Sequence, residues 1–437
     1  MCYAEINGLS ECYAFRFPGG GAMRSALLVG SILFVLAALS LQGVASSSDS
    51  ALPGQIDSIF SGLVQPGDPG VAVLVKKNGN ILSEAGYGVR DLRSHAKIDR
   101  QTNFRLASVT KQFTAMAIML LVHDGKLHYE DHLNEFFPDF PPYGKDVTIR
   151  HLLNHTSGLA DYSEIMEQQE KSGGPKWSQE HQIQDEEVLA LLKAQPAGLF
   201  PPGTRWEYSN SGYVVLGLVV AKASGMPYRE FLRKRVFVPL KMNHSVVYQN
   251  GINHIRDRAY GHSQENDKLV ETDQSATSAT LGDGGIYSNI EDLAKWDEGL
   301  TRHTLLSEQE MAPALTAVKL ADGSEPRWPR DPRSTDPGEP PFVQYGFGWF
   351  LDPYQDHARN YHDGGTRGFR TTIQRFVNDG VTVVVLSNRT DLNPDALSLK
   401  VADIVLSDQG SVRKTRALRF SPSPPACPGL SSWRARP

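Results

Sequence analysis

The stretch Ser108-Val109-Thr110-Lys111 puts a hydroxyl and an amine three residues apart at the head of a long apolar run. If a helix begins near Ser108, the two side chains share a face and can meet. A serine hydroxyl is a weak nucleophile at neutral pH and needs a base beside it. A lysine amine fills that part only where burial or neighbouring charge lowers its pKa from about 10.4 toward neutrality. Phe113, Met116, Ile118, Leu120 and Leu121 would supply the burial, and backbone N–H groups at the helix start would face a developing oxyanion. The spacing recurs at Ser94-His95-Ala96-Lys97, in a polar turn-like stretch, and at Ser411-Val412-Arg413-Lys414, in a basic tail. Taken alone, the pattern at Ser108 equally describes an N-capping serine beside a snorkelling lysine.

Two more triplets carry side chains of use to such a pair. Tyr208-Ser209-Asn210 follows the Pro-Gly loop Phe200-Pro201-Pro202-Gly203-Thr204 and leads into a long helix. The same pattern at Tyr248-Gln249-Asn250 and Tyr287-Ser288-Asn289 reads as a turn and a helix cap. His362-Asp363-Gly364 precedes a second glycine, Gly365, and a strand, a layout that lets a substrate approach the backbone closely. His123-Asp124-Gly125 reads instead as a helix C-terminus. There is no Gly-x-Ser-x-Gly elbow, which disfavours an α/β-hydrolase. His151 and His155 are four apart but lack a His-Glu-x-x-His pattern, and no glycine loop suits a phosphate, so neither a metal nor a cofactor is expected.

The elements that must position these residues follow from hydropathy and turn signals. Pro53 to Val64 forms a first helix. Val71–Val75 and Ile81–Ala85 flank Asn78-Gly79, a strong hairpin signal. Helical material runs from Ser108 to about Leu240, with segments at Thr148–Asn154, Asp185–Ala194, Ser211–Ala223 and Tyr228–Val236. A capped helix begins at Ser288-Asn289, and Lys319–Pro341 reads as a long surface loop. Strand character returns at Phe342–Leu351, Phe369–Val377 and, past Asn378-Asp379-Gly380, at Val381–Leu386. A last helix spans Pro394–Leu406, and the tail from 407 to 437 is expected to be disordered. The fold class is α+β: an antiparallel sheet built from the N- and C-terminal segments with flanking helices, and a mostly helical insertion at about 110–340, leaving a cleft for Ser108.

With 437 residues, 40% hydrophobic, and a net charge of −5 without a basic cluster in the body, the chain suits a small-molecule or peptide substrate and no nucleic acid. Met23-Arg24, the apolar run Ala26–Leu41 and Gly43-Val44-Ala45 have the parts of an export signal. Residues 1–45 are therefore read as an extension plus signal, with a start at Met23 or an uncleaved membrane anchor as alternatives. The product would be periplasmic or secreted. Cys2, Cys12 and Cys427 lie outside the body at 51–406, so no structural disulfide is expected. The oligomeric state is not legible.

The three triplets, in this order and spacing, resemble the active-site elements of the serine β-lactamase and penicillin-binding protein superfamily. The segments Thr148-Ile149-Arg150-His151-Leu152-Leu153-Asn154-His155-Thr156-Ser157-Gly158-Leu159, Gly284-Gly285 and Tyr345-Gly346-Phe347-Gly348-Trp349 resemble its class C β-lactamase-related branch, which also holds D-peptidases and esterases. The resemblance covers about Asp57 to Leu406. It implies acyl transfer through a serine ester, with Ser108 as nucleophile and Lys111 and Tyr208 as the proton-taking pair. It implies that Asn210 bonds Lys111 or the substrate, and that the oxyanion sits between the N–H groups of Ser108 and Gly365, beside Gly364. His362 stands where β-lactamases and many penicillin-binding enzymes carry lysine. Imidazole is only partly charged near neutrality, which favours peptide, amide or ester substrates over β-lactams. A carboxylesterase, a weak β-lactamase and a non-turning-over penicillin-binding-like sensor are the alternatives. Tyr162, Trp206 and Trp349 are read as core residues first and cleft residues second.

Overall fold

The hairpin at Asn78-Gly79 is present in the computed structural model, which describes residues 52–329 and 341–419. Asn78 and Gly79 both take positive φ, +50° and +81°, the combination that lets a two-residue turn follow the right-handed twist of its strands. In chain order the elements that frame the site are α1 (Leu52–Phe60), β1 (Val71–Lys77), β2 (Asn80–Tyr87), β3 (Phe104–Arg105), α2 (Lys111–His123), α3 (Tyr162–Lys171), α4 (Asn210–Ser224), β4 (Val246–Val247), β5 (Ile286–Ser288), α5 (Ile290–Thr301), β6 (Arg359–Thr366), β7 (Phe369–Phe376), β8 (Val381–Ser387) and α6 (Pro394–Arg419). The five long strands form one antiparallel sheet in the order β6-β7-β8-β1-β2, so β1 pairs with the last strand of the chain, Val71 opposite Ser387 and Lys77 opposite Val381.

Both faces of this sheet are covered, which is why Val71 to Val75 is buried without interruption. Val71, Val73, Val75, Val381, Val383 and Val385 point to the outer face, where they pack against Ile56 and Phe60 of α1 and Leu397, Val401 and Val405 of α6. Ala72, Leu74, Val384 and Leu386 point the other way into the helical body, whose core includes nearly all of α2 and α4. α5 is fastened to the inner face by charge: Asp297 accepts from Lys76 at 2.6 Å, Arg375 at 2.8 Å and Thr382 at 2.8 Å. Burial pushes the Asp297 carboxyl up, but Arg375 and Lys76 outweigh it and hold it below its ordinary range.

The α+β architecture expected from the sequence is the one observed. Several local readings need correction. Phe342–Leu351 is not a strand: Gly348, at φ +75°, turns the chain so that Tyr345 bridges Phe350, and Phe350 in turn bridges Tyr361. Among the strands that went unpredicted, β3, β4 and β5 form a small sheet in the order β3-β5-β4. Ser288 ends β5, and the cap of α5 is Asn289, whose side chain accepts from Asp292 N–H at 2.8 Å. α6 continues beyond Leu406 to Arg419, into the stretch expected to be disordered, because no proline interrupts the chain before Pro422. No helix among the described residues is long and apolar enough to cross a membrane. The proposed signal segment at 1–45, the three cysteines, residues 330–340 of the surface loop and 420–437 of the tail lie outside the described residues.

Candidate active site

The turn bearing Ser108 is held from two sides. β3 pairs with β5, and the Leu106 N–H that follows it donates to Ile286 O at 2.9 Å. From the main sheet, Thr371 Oγ1 donates to Leu106 O at 2.8 Å. Ala107 then takes φ +48°, a left-handed conformation that few residues with a side chain adopt. It opens the 3₁₀ turn Ala107–Thr110, and α2 starts only at Lys111, not at Ser108 as expected. In a 3₁₀ turn residues i and i+3 eclipse, so the shift brings Lys111 directly over Ser108.

Lys111 is fully buried, whereas Ser108 is half-buried at the mouth of a cleft. The lysine Nζ lies 3.1 Å from Ser108 Oγ, 2.9 Å from Asn210 Oδ1 and 3.1 Å from Asp283 O, three acceptors for the three positions an ammonium can donate from. It sits 5.0 Å from the centroid of the Tyr208 ring and 5.5 Å from that of Tyr213. Ser108, Lys111, Tyr208 and Asn210 thus come together from α2 and its preceding turn and from the head of α4. Asn210 has its orientation set by Asp161, which accepts from Asn210 N–H at 2.7 Å and from its Nδ2 at 3.1 Å. That leaves Oδ1 facing the lysine.

The opposite wall is strand β6, which contains the His-Asp-Gly triplet rather than following it. A methyl group on Gly364 would lie 2.1 Å from Leu106 O and 2.3 Å from Thr371 Oγ1, so only glycine lets the strand press against the serine turn. A methyl group on Gly365 would make only ordinary contact, with Arg370 Nη1 at 3.8 Å, and the residue reaches the cleft beside Ser108.

His362 does not face that cleft. Its ring is 1% exposed, with Nε2 3.2 Å from Tyr345 OH and Nδ1 2.7 Å from Asp363 O, among Tyr345, Phe350 and Tyr208. Burial first, and then the charge of Lys111, lowers its pKa to about 3, so the ring is neutral rather than partly charged. His155 is equally enclosed: its ring lies 4.4 Å from that of Tyr208 and its Nδ1 accepts from Ser209 N–H at 3.2 Å. Burial and the charge of Lys111 hold it far below the ordinary histidine range. His151 accepts from Thr148 N–H at a helix start, so the two histidines weighed as metal ligands serve backbone groups instead. Trp206 and Trp349 are core residues, whereas Tyr162 lines the cleft while remaining buried.

Sequence reasoning missed Asp161, Asp283 and Arg105. Asp161 had a signal, because Asp161-Tyr162-Ser163-Glu164 carries a helix-capping pattern and Asp161 does cap α3. Arg105 braces the loop beside the cleft by donating to Ser278 O at 3.0 Å and Gly284 O at 3.3 Å. Asp283 Oδ2 accepts from Tyr162 OH at 3.0 Å.

Over most of its length the chain is similar to known proteins. Penicillin-binding protein 4* of Bacillus subtilis (strain 168) is 32% identical over 351 residues, covering 77% of this chain and 72% of its own. Among solved structures, an octameric penicillin-binding protein homologue from Pyrococcus abyssi superposes with a TM-score of 0.66 at 25% identity, covering 82% of this chain and 77% of that one. A D-amino acid amidase from Ochrobactrum anthropi SV3 superposes with a TM-score of 0.66 at 23% identity, covering 84% and 100%. The Beta-lactamase family profile matches residues 56–406, from α1 on the outer face of the sheet to the apolar half of α6 beside it, and the chain belongs to that family.

Proposed function

We propose that this protein is a serine hydrolase that cleaves a peptide, amide or ester bond through an acyl ester on Ser108. The observation that carries the reading is the buried Lys111 Nζ, 3.1 Å from Ser108 Oγ and fixed there by Asn210 and Asp283 O. In this scheme Ser108 Oγ attacks the carbonyl carbon while its proton passes to the Lys111–Tyr208 pair. The oxyanion forms between the N–H groups of Ser108 and Gly365. Collapse of the tetrahedral species expels the leaving group, which takes the proton, and a water activated by the same pair hydrolyses the ester. The penicillin-binding relative and the amidase fold neighbour support acyl chemistry at this site. His362, neutral and enclosed, offers no fixed charge to the carboxylate of a β-lactam, which favours amides and esters. The segment Met23–Ala45 supports export to the periplasm or beyond.

The test is mass spectrometry after treatment with a fluorophosphonate, with turnover of p-nitrophenyl butyrate, a D-alanyl peptide and nitrocefin compared on one preparation. One adduct on Ser108 is expected, with steady turnover of ester or peptide exceeding that of nitrocefin. Ser108→Ala and Lys111→Ala should each lose roughly 10⁴-fold in kcat or more. One equivalent of probe bound without turnover of any substrate would mark a sensor and overturn the reading.

A further inference from the structure

The inner face of the main sheet holds a second cavity, far from Ser108. It measures about 540 Å³ and lies between the last turn of α5, the hairpin at Asn78-Gly79 and the adjoining ends of β6, β7 and β8. That volume is in the range of small-molecule sites. Asn360 and Arg375 line it as direct partners across β6 and β7, five residue pairs before Gly365 and Arg370, which sets them about 17 Å along the strand from the serine cleft. Each is only 9% exposed, yet the fold leaves part of each unused. Arg375 spends Nε and Nη2 on Asp297 and Thr301. Among the described residues nothing bonds its Nη1 or either end of the Asn360 amide. These atoms are not sealed in as the orphaned oxygen of Asp283 is, but open onto the cavity. Polar atoms this deep are normally paired, so a partner that enters the cavity is what they lack.

The charge of the lining specifies that partner. Lys76 and Arg375 share one carboxylate, Asp297, which leaves one buried positive charge over. The other charged groups stand at the mouth: Glu298 pairs with Arg302 at 2.9 Å, and Glu308 and His303 are exposed to solvent, where their fields are screened. The end of α5 does not claim the charge either, because the carbonyls of Glu298, Gly299 and Leu300 accept from the N–H groups of Arg302, Thr304 and His303. Leu300, Leu315 and Val377 give the cavity an apolar side, with Leu315 and Val377 40% and 43% exposed beside its mouth. We propose that this cavity binds a small organic carboxylate, its anionic end between Arg375 Nη1 and the Asn360 amide and its apolar body against Leu300, Leu315 and Val377. Two N–H donors side by side match the two oxygens of a carboxylate. A neutral ligand would leave the charge over, and an inorganic anion would leave the apolar side wet. The site does not depend on the reading of Ser108 as nucleophile.

The experiment titrates para-trifluoromethylbenzoate into the full chain and follows its fluorine NMR signal, with neutral para-trifluoromethylbenzamide and inorganic phosphate as competitors. The benzoate should bind more tightly than either by at least about tenfold. Asn360→Leu removes an amide that nothing in the fold bonds, so it should melt no lower than the parent while weakening the benzoate by at least about tenfold. Leu315→Glu, at the exposed mouth, should weaken it by at least about threefold. A wild type that prefers the benzoate to neither competitor overturns the proposal whatever the variants do. So does an affinity that either folded variant leaves unchanged, since the benzoate would then sit elsewhere.

Discussion

The two walls of the cleft reach the same serine by different means. The sheet wall, β6 and β7, contributes backbone: Gly364 lets the strand touch the serine turn, Thr371 ties the turn down through Leu106 O, and Gly365 offers its main chain. The helical wall contributes side chains in a polar chain that runs from Lys111 through Asn210 to Asp161, with Asp283 and Tyr162 beside it. Close packing defines the first wall and hydrogen-bond direction the second. Damage to the first should therefore appear in stability and rate together, and damage to the second mainly in rate.

Substituting the two adjacent glycines sets the sharpest test. Gly364→Ala puts a methyl group against the Leu106 carbonyl oxygen and the Thr371 hydroxyl that bonds it, and should cost about 1–3 kcal/mol of stability and at least about tenfold in kcat/KM. Gly365→Ala meets nothing nearer than Arg370 Nη1 at 3.8 Å and should stay within about 0.5 kcal/mol of the parent. Calorimetry of both variants decides, and equal losses would dissolve the distinction between touching strand and open strand. Next in size, Asp161→Ala frees the Asn210 amide to rotate and should lower kcat by roughly tenfold while costing only about 1 kcal/mol through the lost cap of α3. A melting-temperature loss as large as that of Gly364→Ala would contradict the polar account of the helical wall.

The smallest effect is one of pH and belongs to the neighbours His362 and Asp363. Burial lowers His362 to about 3, so below its ordinary 6.5 the unfolded chain binds a proton that the folded one refuses. Its contribution is full above pH 6.5 and is lost as pH falls toward 3. Burial raises Asp363 to about 7, with Asp395 adding to the effect, so its contribution is full below pH 3.8 and is lost as pH rises through 7. Between about pH 4 and 6.5 the two slopes oppose each other. Asp363→Asn should leave the His362 slope exposed, its melting temperature rising with pH across that window relative to the parent by a few degrees. His362→Gln should show the reverse trend. Parallel curves for the two variants would refute the assignment.

Much of this architecture was legible because its signals are local or periodic. The hairpin at Asn78-Gly79 and the valine runs announced the sheet, and the apolar residues behind Lys111 announced a buried helix. Spacing brought out Ser108, Lys111, Tyr208 and Asn210, which the fold gathers. What the sequence hid depends on distant partners. Strands of two or three residues such as β3 and β5 are too short to leave a period, and Tyr345, Phe347 and Trp349 alternate like a strand although the glycines between them serve a turn. The neutrality of His362 comes from burial among Tyr345 and Phe350, and nothing in its own neighbourhood announced it. Asp283 sat unremarked between two glycines, its use set by a tyrosine more than a hundred residues away.

The pairing of β1 with β8 has a consequence for timing. The first strand of the sheet waits for a partner far downstream in the chain, Val71 for Ser387, so the segment between them leaves the ribosome before the sheet can close. The serine, its lysine and the tyrosine all emerge early, but the glycine wall that completes their cleft arrives only with β6 and β7 and is locked in place by β8. A nascent chain thus carries Ser108, Lys111 and Tyr208 before the strands that wall their cleft exist, and the cleft is complete only once β8 has been made.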